Sequence, residues 1–164
     1  MTAECLYNAI LRVEADAMQM VYILTGAGST TFCAEAFLHQ MIRSMMISRA
    51  SDDLQAVNGY SLGPICPSRL IVQKPAIRAI IGHAVTGGLK LSLLADLRVF
   101  EKDTVFDVVC RRWGAPLSDR AIVRLQAIVS LGRTMGMILT GRPVGAQEAL
   151  AVGLASCVIS KESR

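Results

Sequence analysis

The sequence has few aromatic and few charged residues. Aromatic side chains make up 5% of the 164 residues and charged side chains 18%. Proteins that bind nucleic acid usually interleave aromatic residues with a basic stripe, so this composition argues against a nucleic-acid partner. The net charge of +4 comes from basic residues scattered along the chain. It fits either an anionic small ligand, such as one with phosphates, or an ordinary solvated surface.

Metal-ligating residues are also scarce. The chain has two histidines, His39 and His83, and its five cysteines form no CxxC pair. We therefore expect no metal site. The odd number and wide spacing of the cysteines favour reduced thiols inside a cell, in the cytoplasm first, with the peroxisome or mitochondrion left open. The first ten residues carry Glu4 and no basic residue, which is not the pattern of a secretory signal.

Long apolar runs are absent as well. Charges such as Arg78 and Lys90 interrupt every candidate before it reaches the ~18 residues that a membrane helix needs, so no membrane partner is expected. Hydrophobic residues nevertheless make up 52% of the chain, and the mean hydropathy is +0.45. So much apolar surface is expected to be buried between subunits, which predicts a homo-oligomer.

What the chain does contain is an alternation of strand and helix patterns. Runs rich in β-forming residues predict strands over 18–24, 76–81, 97–100, 104–109 and 155–159. Helical spacing predicts helices over 3–16, 37–47, 87–95, 118–129, 133–139 and 146–152, and turn-forming residues predict a long loop over 49–72. The alternation predicts one α/β domain over 1–164 with mostly parallel strands.

The stretch from Lys74 to Arg98 carries the clearest indication of function. Its predicted strand runs through a turn into the pair Gly87–Gly88, where a helix begins. Glycines leave backbone N–H groups uncovered, and a helix N-terminus adds unpaired donors and a partial positive charge. Such a turn can stabilise a developing negative charge, for instance the oxyanion of a thioester enolate. The alternative is that the two glycines only permit close helix packing.

Four blocks of the chain resemble the enoyl-CoA hydratase/isomerase (crotonase) superfamily. They are residues 21–37, 74–99, 105–119 and 132–159, and the last contains LTGRPVGAQEALAVGL. The resemblance implies a crotonase-like spiral core of ββα units, present here as one partial domain. Because the family's N-terminal strand pair and C-terminal helices have no counterpart, the fold is expected to be truncated at both ends. The resemblance also implies an acyl-CoA substrate, no cofactor and a trimer-based homo-oligomer.

The same resemblance implies where the thioester would bind. By position in the blocks, the family's two oxyanion donors correspond to the backbone N–H groups of Ala36 and Gly87. The implied substrate-binding residues are Ala36, Phe37, Leu38, His39 and Gly87.

The residues that would move protons differ from the family's. The two catalytic glutamates of hydratases correspond here to Lys90 and Cys110, whereas hydration needs a carboxylate to activate water and an acid to protonate the α-carbon. Lys90 could act as a base, contact a CoA phosphate or point to solvent. Cys110 could be a thiolate activated by the neighbouring Arg111 and Arg112, but a small buried hydrophobic side chain is favoured.

Three further positions depart from the family pattern. Glu35 and Thr86 stand where the family has glycine, and a glutamate at a position that needs positive φ would be strained. Asp107 stands where relatives often carry glycine, close to the expected site. It is a candidate general base, although a solvated or ion-paired aspartate is the more common outcome.

Two functional hypotheses follow. The first is an enoyl-CoA hydratase/isomerase-like enzyme, a lyase or isomerase of fatty-acid or secondary metabolism that works through an enolate held by an oxyanion hole. The second is a catalytically inactive crotonase-fold protein that lacks both glutamates and binds acyl-CoA or serves as an interaction subunit.

Overall fold

The structure is a computed structural model and describes residues 2–34, 67–113, 117 and 120–160. The strands in these residues are β1 (Tyr22–Thr25), β2 (Thr31–Cys33), β3 (Ala76–Ile80), β4 (His83–Val85), β5 (Leu97–Glu101), β6 (Val105–Asp107), β7 (Val144–Gly145) and β8 (Cys157–Ile159). The helices are α1 (Thr2–Ala15), α2 (Gly87–Ser92), α3 (Ala121–Val129), α4 (Leu131–Thr140) and α5 (Ala146–Ala151), with 3-10 turns at Pro67–Arg69 and Val109–Trp113.

From β1 to β6, successive strands alternate between two sheets. The first sheet has the order β1-β3-β5-β8, and all of its pairings are parallel. The second sheet has the order β2-β4-β6-β7 and is parallel except at the β6–β7 pairing. A strand of the first sheet therefore leads into a strand of the second and then into a helix, as in β3–β4–α2.

The predicted α/β class with mostly parallel strands is confirmed, but several boundaries were wrong. The strand predicted over 18–24 begins only at Tyr22, because Met18 lies in a turn. The strand predicted over 104–109 ends at Asp107. The short strands β2, β4 and β7 were missed, since two or three residues show no readable alternation. The helix predicted over 37–47 and residues 118–119 lie outside the described residues.

Helix α1 is fastened to the segment that leads into β3. The Glu14 carboxylate accepts the backbone N–H groups of Gln73 at 2.8 Å and Lys74 at 3.2 Å. In return, Nζ of Lys74 donates to the carbonyl oxygens of Val13 at 2.6 Å and Asp16 at 2.5 Å. A cation at this end of a helix also meets the negative pole of the helix dipole. These hydrogen bonds fix how the chain enters β3.

The core between the two sheets is built on an aromatic pair. Phe100 on β5 stacks on Phe106 on β6, with ring centres 4.7 Å apart and planes inclined by 5°. Both side chains are fully buried, and Leu89 of α2 and Ala84 of β4 belong to the same cluster. The junction between β4 and α2 is thereby held against the core.

The inner face of the first sheet, which packs into this core, also carries two arginines. Arg78 on β3 and Arg98 on β5 are paired in register and are 0% and 6% exposed. Arg98 donates from Nε to the carbonyl oxygen of Leu154 at 2.7 Å and from Nη1 to that of Ala95 at 2.6 Å. Burial lowers the pKa of Arg98, and the nearby Asp96 carboxylate partly offsets this effect.

Arg78 is less completely bonded. Its Nε donates to the carbonyl oxygen of Leu91 at 3.2 Å, and Nη1 donates to that of Ile77 at 3.4 Å. The guanidinium lies 5.2 Å from the centre of the Tyr22 ring. Among the described residues, nothing pairs with the buried Nη2 of Arg78 or with the buried hydroxyl of Tyr22.

Candidate functional site

The junction between β4 and α2 brings the predicted glycine pair to a buried turn. The Thr86 N–H donates to the carbonyl oxygen of Asp107 at 2.9 Å, which ties the turn to β6, and Lys90 N–H donates to the carbonyl oxygen of Thr86 at 3.0 Å. Gly87 is the first residue of α2, and every residue of this helix is buried. Gly87 therefore lies at the start of a helix, as the sequence predicted, and that start is buried in the protein.

Gly88 is required by packing. A Cβ at this position would lie 2.1 Å from the carbonyl oxygen of Cys33, at the end of β2, and 3.1 Å from its Cβ. No side chain fits at that distance, so the close-packing interpretation of the glycine pair holds for Gly88. The same contact brings the end of β2 directly against the first turn of α2.

Thr86 adopts a conformation that suits glycine. Its φ is +44° and its ψ −85°, and a β-branched residue there stores strain of about 1–3 kcal/mol. The Thr86 hydroxyl makes no capping hydrogen bond to α2. It is buried, and no group in the described part of the chain pairs with it. A strained backbone beside an unpaired buried hydroxyl is a common mark of a functional site.

Asp107 lies next to this turn. It ends β6 and is paired in register with Val85. The side chain as a whole is half-buried, yet its Oδ1 is fully buried, and within the described ranges it has no hydrogen-bond partner. Burial raises the pKa of Asp107, while Arg112, the Val108 N–H and His83 act in the opposite direction. A carboxyl group with a raised pKa beside a candidate oxyanion turn is suited to proton transfer.

The two residues that the resemblance places at the family glutamates are both buried. Lys90 is 2% exposed and Cys110 3% exposed. The suggestion that Lys90 points to solvent is therefore wrong. Cys110 belongs to the hydrophobic core cluster, which agrees with its interpretation as a small buried hydrophobic side chain.

Arg112 has a contact that sequence reasoning missed. In the sequence, Arg112 stands out only as a neighbour of Cys110. In the structure its Nη2 donates to the carbonyl oxygen of Gly141 at 2.7 Å, where Gly141 closes α4 with a left-handed φ of +59°. Its charge also acts on Asp107. No sequence signal indicated this link, because it joins positions 29 residues apart.

The remaining predicted site residues lie outside the described residues. These are the oxyanion candidate Ala36, the substrate-binding candidates Phe37, Leu38 and His39, and the family departure Glu35. His83 is exposed on β4, and its backbone N–H donates to the carbonyl oxygen of Thr30 at 3.2 Å.

The described part of the chain holds neither a metal-binding cluster nor a helix that could cross a membrane. Within residues 2–34, 67–113, 117 and 120–160, no three histidine, cysteine, aspartate or glutamate side chains gather as they would around a metal ion. The helices of these ranges are too short or too polar to cross a membrane.

A family model described as enoyl-CoA hydratase/isomerase matches residues 1–163. The chain is 33% identical to the putative enoyl-CoA hydratase/isomerase YngF of Bacillus subtilis over 165 residues, which cover 94% of the chain and 58% of that protein. It is 32% identical over 149 residues to the (E)-benzylidenesuccinyl-CoA hydratase of Thauera aromatica, covering 90% of the chain and 55% of that protein.

Solved structures give the same result. An enoyl-CoA hydratase/isomerase from Cupriavidus metallidurans matches with a TM-score of 0.83 and 26% identity, over 99% of the chain and 59% of that structure. A carnitinyl-CoA hydratase from Mycobacterium avium matches with a TM-score of 0.80 and 25% identity, over 96% of the chain and 58% of that structure. The chain thus spans a little over half the length of the proteins that it matches.

Proposed function

The chain belongs to the enoyl-CoA hydratase/isomerase family and has its crotonase-like α/β fold, and from that premise we propose that it binds an acyl-CoA thioester and stabilises the enolate of that thioester. The predicted resemblance and fold class are thereby confirmed. The enolate oxygen would accept hydrogen bonds from the backbone N–H groups of Gly87 and Ala36. The reaction needs the CoA thioester as substrate and no cofactor.

The observation that carries the proposal is the buried turn at Gly87. The first N–H groups of a helix point away from its own carbonyls, and α2 starts inside the protein where the dielectric is low. A preorganised donor in such a place contributes about 2.7–4 kcal/mol to an oxyanion transition state. The contact between Gly88 and Cys33 keeps the turn rigid, and rigidity is what preorganisation requires.

Asp107 is the group that we assign to proton transfer. It adjoins the turn through the Thr86 N–H, and burial raises its pKa. The ionised carboxylate would take a proton from the α-carbon of the acyl group, the C–H electron pair would form a double bond between the α-carbon and the carbonyl carbon, and the carbonyl π pair would move to the thioester oxygen. Return of a proton from Asp107 completes the cycle. This exchange needs neither of the carboxylates that Lys90 and Cys110 replace.

Exchange of the α-hydrogens of butyryl-CoA in deuterated water tests this function without requiring hydration. We expect deuterium to enter the α-position with the unaltered protein, and Asp107→Asn to abolish incorporation. Asp103→Asn is the matched control, because Asp103 is exposed in the turn between β5 and β6. Incorporation that survives in Asp107→Asn would remove Asp107 from the proposal, and no incorporation with any variant would refute enolate formation.

One observation favours the second hypothesis, a catalytically inactive acyl-CoA-binding protein. Cys110 lies within the apolar core, so this position holds a buried thiol where the family would have a carboxylate. A calorimetric titration with butyryl-CoA separates the two hypotheses. Binding without α-exchange supports the inactive binder, binding with exchange supports the enzyme, and absence of binding contradicts both. Loss of crotonyl-CoA absorbance would in addition reveal hydration, which we do not expect.

A further inference from the structure

The inner face of the first sheet holds a positive charge that the described residues do not balance. Arg78 on β3 is 0% exposed. Its hydrogen bonds go to the carbonyl oxygens of Leu91 and Ile77, which are neutral acceptors, and within the described ranges no carboxylate pairs with it. Buried charges in proteins are paired with an opposite charge, because leaving water without one is costly. The Arg78 guanidinium therefore lacks its counter-charge.

Tyr22 on the neighbouring strand β1 presents a second unpaired donor beside this charge. The guanidinium carbon of Arg78 lies 5.2 Å from the centre of the Tyr22 ring. The phenol hydroxyl and the Nη2 atom of Arg78 are both buried, and neither has a hydrogen-bond partner in the part of the chain that the structure describes. The face of the ring offsets part of the charge. It accepts no hydrogen bond from the N–H groups that lie in the plane of the guanidinium, so these donors still need an acceptor.

The chemistry of the two donors defines what can bind between them. The two N–H groups on Nη2 can only donate, and a phenol hydroxyl can donate as well. A cation is therefore excluded. A water molecule could accept both hydrogen bonds but would leave the charge unbalanced, whereas a small anion does both. A bulky anion does not suit two atoms that are closed off from solvent.

We propose that Arg78 and Tyr22 together bind a small monovalent anion, such as chloride, on the inner face of the first sheet. Nη2 of Arg78 and the hydroxyl of Tyr22 donate hydrogen bonds to the ion, and the guanidinium balances its charge. The proposal is independent of the proposed function, because no acyl-CoA contact enters it.

Arg98, the register partner of Arg78 on β5, shows the alternative way to bury a guanidinium. Its Nε and Nη1 donate short hydrogen bonds, at 2.7 and 2.6 Å, to two carbonyl oxygens. The negative charge of the nearby Asp96 carboxylate also acts on it. Arg98 thus has a counter-charge within the chain and needs no added ion, which makes it the matched control for Arg78.

Urea unfolding in rising sodium chloride tests the proposal, with sodium gluconate added to hold the ionic strength constant. An anion that binds only the folded chain stabilises it by mass action, and gluconate is too large for an enclosed site. We expect the urea midpoint of the unaltered protein to rise as chloride replaces gluconate. A midpoint that does not change with chloride would overturn the proposal and favour water, or another part of the chain, as the partner of Arg78.

Three variants locate the effect. Arg78→Met should abolish the chloride dependence, and without halide it should be more stable than the unaltered protein. Tyr22→Phe keeps the ring but removes one donor, so it should weaken the chloride affinity about 10-fold. Arg98→Met removes the same charge from the same face and should keep the dependence. Chloride dependence that survives in Arg78→Met, disappears in Arg98→Met or is unchanged in Tyr22→Phe would overturn the proposal.

Crystals of the unaltered protein grown in sodium bromide provide a measurement that does not depend on the folding of any variant. Bromide replaces chloride in such sites and is located by its anomalous scattering. We expect an anomalous peak within hydrogen-bonding distance of both Nη2 of Arg78 and the hydroxyl of Tyr22. A water molecule or a carboxylate at that position would overturn the proposal.

Discussion

The two faces of the first sheet reverse the usual distribution of polarity. The inner face holds Arg78 and Arg98, which are nearly inaccessible to water, whereas the outer face exposes Ile23 and Leu97. The arginines are tolerated because the carbonyl oxygens of Leu91, Ala95 and Leu154 accept their hydrogen bonds. A buried guanidinium bound in this way fastens a strand to neighbouring turns. The contrast teaches that backbone acceptors, not polarity alone, decided which side chains point inward.

Truncation of Phe100, one ring of the aromatic pair on the inner face, should lower the free energy of unfolding more than any other change proposed here. Phe100→Ala deletes a fully buried ring that stacks on Phe106, and such truncations lower the free energy of unfolding by about 3–5 kcal/mol. Urea unfolding measures the loss. Leu97→Ala is the control and should change stability far less, because Leu97 is 51% exposed on the other face of the same sheet. Equal losses would show that the two faces are buried alike in the single chain.

Arg98→Met should lower the free energy of unfolding by about 2 kcal/mol, because the carbonyl oxygens of Ala95 and Leu154 lose their partners while buried. Methionine fills similar space without charge, so the measurement gives the lost hydrogen bonds less the desolvation cost of the buried charge. An unchanged urea midpoint would mean that water replaces the guanidinium.

Arg78→Met should act in the opposite direction and raise stability by about 1 kcal/mol. Its Nη2 has no partner among the described residues, and replacing an incompletely satisfied buried charge by an apolar side chain is often neutral or stabilising. The comparison with Arg98→Met under the same conditions is the test. Destabilisation equal to that of Arg98→Met would show that the contact with the Tyr22 ring outweighs the buried charge.

In the second sheet, Asp107 on β6 also carries a buried polar atom, its Oδ1. Because its folded pKa is raised, mainly by burial, the protein should lose stability as pH rises through the ordinary aspartate pKa toward the raised value. Asp107→Asn removes this loss. The variant should match the original at acid pH and exceed it near neutrality, by less than ~1 kcal/mol because the half-exposed side chain is screened. Parallel stability curves across this range would contradict the prediction.

The smallest effect is expected on the outer face. Ile23→Thr keeps a β-branched side chain at an exposed strand position, so stability at low protein concentration should change by less than ~0.5 kcal/mol. Thermal unfolding at micromolar concentration measures it. A larger loss would mean that Ile23 is already buried by the chain itself.

The sequence predicted the order of long elements, since β3, α2, β5 and the helices after residue 120 follow clear patterns. It also located the glycine turn at the start of α2, and it named Asp107, which lies beside that turn. It could not predict β4 or β7, whose pairing comes from neighbours distant in the chain. Nor could it predict that Cys33 presses on Gly88, because that contact depends on how β2 meets α2.

The fastening of α1 by Lys74 bears on the lifetime of the folded chain. Its hydrogen bonds join residues 58 to 61 positions apart, and closing a loop of ~60 residues costs ~3–4 kcal/mol of chain entropy. Contacts with so high an entropic cost tend to form after the local elements. Interactions absent from the folding transition state slow unfolding without accelerating folding. Lys74 therefore governs how long the native state persists more than how quickly it is reached.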